Sequence, residues 1–165
     1  MAKNYDNFVK WFKEPLNSIY GNPHAGFAIL MISLPILERY LRQKSGVFEK
    51  KSLDDHFRQA LLNMFPSLKD TDTARKFWEV YRHGLLHQAT LKAGDMLLGV
   101  AVHGEAQEIE FDGHVFTVSP IKFSKKVVEA IEANFPTYEG VDSPQHGLAQ
   151  VSDSTGRSGF NPDIK

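Results

Sequence analysis

Apolar positions along this chain repeat first at helical spacing, then at strand spacing, then at helical spacing again. Over the first twenty residues Phe8, Val9, Trp11, Phe12, Leu16 and Ile19 recur at near-helical intervals, and Pro15 interrupts them. This predicts a short helix and a second turn packed as a lid, with Trp11 and Phe12 in the core beside Phe77 and Trp78. After the loop GNPHAG (Gly21 to Gly26), the stretch from Ala25 to Lys44 is apolar on most faces and then amphipathic through Leu37, Tyr40 and Leu41. It predicts a central helix stopped at Ser45-Gly46, in which Pro35 either makes a bend or marks a later start.

A next helix is expected from Ser52, where SLDD supplies a cap and acids for the first turn, through Phe57, Leu61 and Met64 to Pro66. Another is expected from a cap at Asp72 or Thr73 to a stop at Gly94, with Phe77, Tyr81, Leu85 and Ala89 on one face. The period then changes. Glu108 to Val118 reads as a hairpin around Asp112-Gly113, and Leu97 to Val102 as a third strand. A last helix is capped at Ser119, has Pro120 in its first turn and ends before Pro136. The fold class that follows is mainly α (α+β): a helical bundle with a small antiparallel β-hairpin near residues 97–118, inserted before the last helix. One domain spans residues 1–139. The polar stretch 140–165, without period, is expected to be a disordered tail.

Composition changes this picture in two ways. The 165 residues include no cysteine, which excludes disulfides, thiolate metal sites and thiol catalysis, and makes a reducing cytoplasm the natural location. The N-terminus does not read as a secretory signal, and the longest apolar stretch, Phe27 to Leu37, falls short of the roughly 20 residues needed to cross a bilayer. No membrane association is expected. The net charge of −1 also hides an asymmetry: residues 1–92 carry 14 Lys and Arg against 9 Asp and Glu, whereas residues 93–165 carry 5 against 11. A basic N-terminal half suits an anionic partner such as RNA or a nucleotide, and equally a plain solvated surface.

That basic half contains YRHGLLHQ (Tyr81 to Gln88), with an arginine, two histidines and a glycine close together. Imidazole titrates near neutral pH and can move a proton, while guanidinium grips phosphate oxygens in a bidentate geometry. On an ideal α-helix Arg82 and His87, five apart, stand about 140° apart around the axis, so they are not strict neighbours. Two other readings compete. His83 and His87, four apart, have a zinc-compatible spacing but lack a third ligand, so no metal is assigned. Alternatively, Arg82 pairs with Glu79 or Glu38, and His87 sits favourably at the helix C-terminus.

RHGLLH (Arg82 to His87) resembles the motif of the HEPN superfamily: arginine, a polar residue, three further residues and histidine. The resemblance implies a dimeric bundle of four or five helices, with two motifs meeting in a metal-independent endoribonuclease site that needs no cofactor. In that scheme the RNA 2′-hydroxyl attacks the adjacent phosphate, His87 acts as acid or base, Arg82 steadies the developing charge and His83 assists. Glu38, in LERYLR, matches more loosely an acid on the helix packed against the motif. Many members of the family act in toxin–antitoxin pairs or phage defence, so a protein antitoxin is a further expected partner. Others only bind RNA or nucleotides, and the alternative function is a non-catalytic interaction module for a nucleotide or a protein. Lys122, Lys125 and Lys126 open the last helix, where a bound phosphate would relieve their conflict with the helix dipole; otherwise they form a solvated face.

Overall fold

The computed structural model describes residues 2–46, 55–86, 92–93, 96–100 and 107–134. Pro15 does not interrupt the first helix. Helix α1 (Ala2–Phe8) passes through a π-helical segment (Val9–Lys13) into α2 (Glu14–Ile19), and the Glu14 N–H donates to the Val9 carbonyl five residues back. Proline lacks an N–H and its ring crowds the carbonyl four residues back, so a widened turn just before it lets the helix continue. Phe8 and Leu16 are buried, but Trp11, expected in the core, is 43% exposed.

Helix α3 (Gly26–Ser45) contains Pro35 well inside it and ends at Gly46, whose φ of 70° closes the helix in the left-handed region. Pro35 is therefore neither a start nor a stop. The carbonyl it leaves without a helical donor belongs to Met31, and both residues are exposed, so water can serve that carbonyl. The opposite side of α3 carries Ile29, Leu30, Leu34, Leu37 and Leu41 into the core, where it packs against α6 (Pro120–Ala133) through Val127, Val128 and Ile131.

Helix α4 (Asp55–Met64) buries Phe57 and Leu61; Ser52, the expected start, lies outside the described residues. A 3-10 turn (Pro66–Leu68) leads to α5 (Thr71–Glu79). Its cap is Asp70, not Asp72 or Thr73: the Asp70 carboxylate accepts the Thr73 N–H at 2.7 Å. The helix also stops short of Gly94, because it continues only as a π segment to Leu86, and Lys92–Ala93 is already strand β1.

The hairpin is present, with β3 (Ile109–Phe111) and β4 (Val115–Val118) antiparallel in the register Phe111↔Phe116. The Asp112 side chain accepts the N–H groups of His114 and Val115, and Gly113 takes φ 106°. Such an Asx turn followed by glycine is why this dipeptide signals a reversal. The sheet is larger than a hairpin, however. β2 (Met96–Val100), the expected third strand, pairs with β4 in parallel, and the order is β1-β2-β4-β3. Ser119 occupies the cap position of α6, but its side chain makes no cap hydrogen bond.

Among the described residues, Lys69 is the one non-glycine with positive φ, at 67°. Left-handed backbone costs an L-residue about 1–2 kcal/mol, while glycine in the unfolded chain returns about 0.5–1. Lys69→Gly should therefore stabilise the fold by up to about 1 kcal/mol. A higher urea midpoint with an unchanged slope is the expected result; a lower midpoint would show that the Lys69 side chain stabilises the turn.

Candidate functional site

The helix that carries the motif is fixed from both ends. At its start, the Asp70 cap is followed by an ion-pair ladder on one face: Asp72 accepts from Arg75 at 2.8 Å and from Lys76 at 2.9 Å. These two cations, Lys76 foremost, lower the Asp72 carboxyl to about 2. Arg75 also donates to both oxygens of Glu79, at 2.8 and 3.0 Å. At the other end, Phe77, Trp78, Val80, Tyr81, Gly84 and Leu85 are buried. The Phe77 ring touches Tyr81 at 4.3 Å and Phe116 at 5.5 Å between centroids, and Tyr81 stacks on Phe123 of α6 at 6.3 Å.

Between these anchors the backbone leaves the α register. Val80–Leu86, VYRHGLL, forms a π-helix, and this segment contains the backbone of Arg82 and His83. Their side chains, and His87 entirely, lie outside the described residues. A π turn holds about 4.4 residues, so residues five apart stand about 50° apart around the axis instead of about 140°. The segment has no proline, and it contains Gly84, the weakest helix former in it.

Glu38 lies on α3, which packs against the π segment. Its carboxylate accepts from Arg42, one turn along the same helix, at 2.7 and 2.8 Å, and that guanidinium also lies over Phe57 at 5.6 Å. The two acids proposed as partners of Arg82, Glu79 and Glu38, thus each already accept from an arginine of their own helix. Among the three lysines of α6, Lys126 pairs with Glu108 at 2.9 Å, and Lys125 lies 5.7 Å from the Tyr20 ring centroid. Lys122 is exposed, and its charge, with the closer Lys126, helps lower the Glu108 carboxyl. No three His, Cys, Asp or Glu side chains among the described residues converge as a metal site would require, and no described helix is long and apolar enough to cross a membrane.

Sequence reasoning missed a second feature of this helix. The Tyr81 hydroxyl and the Trp78 indole N–H, three residues apart at the entrance to the π segment, are buried without a hydrogen-bond partner among the described residues. Burial alone pushes the Tyr81 phenol well above its ordinary pKa. Periodicity marks both side chains as core and carries no signal of an unmet polar demand.

The chain matches no family model, no curated protein and no solved structure.

An unpaired buried hydroxyl costs roughly 1–3 kcal/mol. Tyr81→Phe removes that cost and keeps the ring stacking, so the thermal midpoint should hold or rise. A loss beyond about 1 kcal/mol would instead mean that the hydroxyl has a partner in solution.

Proposed function

We propose that this chain is a HEPN-like RNA-binding protein that cleaves RNA without metal, through Arg82 and His87, with His83 assisting. The π register of Val80–Leu86 carries this reading. The spacing of the motif is awkward on an α-helix, where the two residues diverge by about 140°, but suits a π turn, where five residues nearly close a circle. On a turn of that kind, residues spaced as Arg82 and His87 are would share one face. π turns inside helices also concentrate at functional sites.

The chemistry follows from the residue types. The 2′-oxygen attacks phosphorus while its proton passes to a base, and the bond to the 5′-oxygen breaks as that oxygen gains a proton. His87 moves protons at one of these steps. Arg82 neutralises the charge that builds on the non-bridging oxygens. Two copies facing one another would supply two imidazoles, one for each proton, which is the part the expected homodimer plays. Defence or toxin–antitoxin context and a protein antitoxin as partner follow from the same resemblance, and the cytoplasm as location from the lack of cysteine. The second reading, a non-catalytic module for a nucleotide or protein, is favoured where the buried polar atoms at Trp78 and Tyr81 serve packing alone.

Purified wild type and His87→Ala are to be incubated with structured and single-stranded RNA in EDTA, and the fragment ends resolved. The expected outcome is cleavage by wild type alone, leaving cyclic phosphate and 5′-hydroxyl ends, with a loss of at least about a hundredfold in the variant. If both proteins are folded and neither cuts, the nuclease reading fails, and RNA binding by wild type against Arg82→Ala decides between the two readings.

A further inference from the structure

We draw no further inference here: the strongest candidate, the pair of buried polar side chains Trp78 and Tyr81 where α5 enters the π segment, belongs to the site already described.

Discussion

The ring of Phe77 is the contact on which the rest of the molecule turns. It touches Tyr81 on its own helix, Phe116 on β4 and Phe123 on α6, and Phe123 in turn stacks on Phe65 just before the 3-10 turn. One aromatic cluster thereby joins the motif-bearing helix, the sheet and the last helix. Each buried aromatic contributes about 1.5–3 kcal/mol through lost water contact, and ring pairing adds a further fraction. The functional consequence is rotational. With Phe77, Val80 and Tyr81 held in the core, the backbone that follows enters Arg82 and His83 in one fixed orientation.

The two π segments have different causes, and the difference is informative. Val9–Lys13 comes just before Pro15, whose ring and missing N–H account for the widened turn. Val80–Leu86 has no such cause in its sequence. A π turn is less favourable than an α turn, glycine in a helix costs about 1 kcal/mol, and two buried polar atoms at the same place have no partner among the described residues. Several unfavourable terms therefore converge on the segment that carries Arg82 and His83, while α3 and α6 beside it are regular. Local cost of this kind persists where the surrounding packing over-determines it, and it concentrates where chemistry or binding is done.

The helices were legible in the sequence because their apolar periods are long, and the hairpin because Asp112-Gly113 names its own turn. What was not legible has physical reasons. The π register leaves no mark in a hydrophobic pattern: Phe77, Tyr81 and Leu85 satisfy the α period as well as Val80 and Leu85 satisfy the five-residue one. The true cap of α5 was hidden by rival acids two residues apart, Asp70 and Asp72, either of which could cap. Pro35 misleads because its penalty depends on which side of the helix it faces, and it faces solvent. The parallel pairing of β2 with β4 is a non-local choice that no short window encodes. Of the site residues, Glu38 was placed on a helix that does pack against the motif segment, but its Arg42 partner is an ordinary one-turn pair that sequence spacing could have supplied.

Helix α3 is built differently on its two sides. Its inner face meets α6 and the π segment, its C-terminal half carries the Glu38–Arg42 pair, and its N-terminal half presents the uncharged stripe of Phe27, Met31 and Pro35. By removing one hydrogen bond on the solvent side, Pro35 leaves the Met31 carbonyl to water. A proline at position 35 is tolerated because the hydrogen bond it removes lies on the solvent side, while the inner face of the same helix holds the π segment in place.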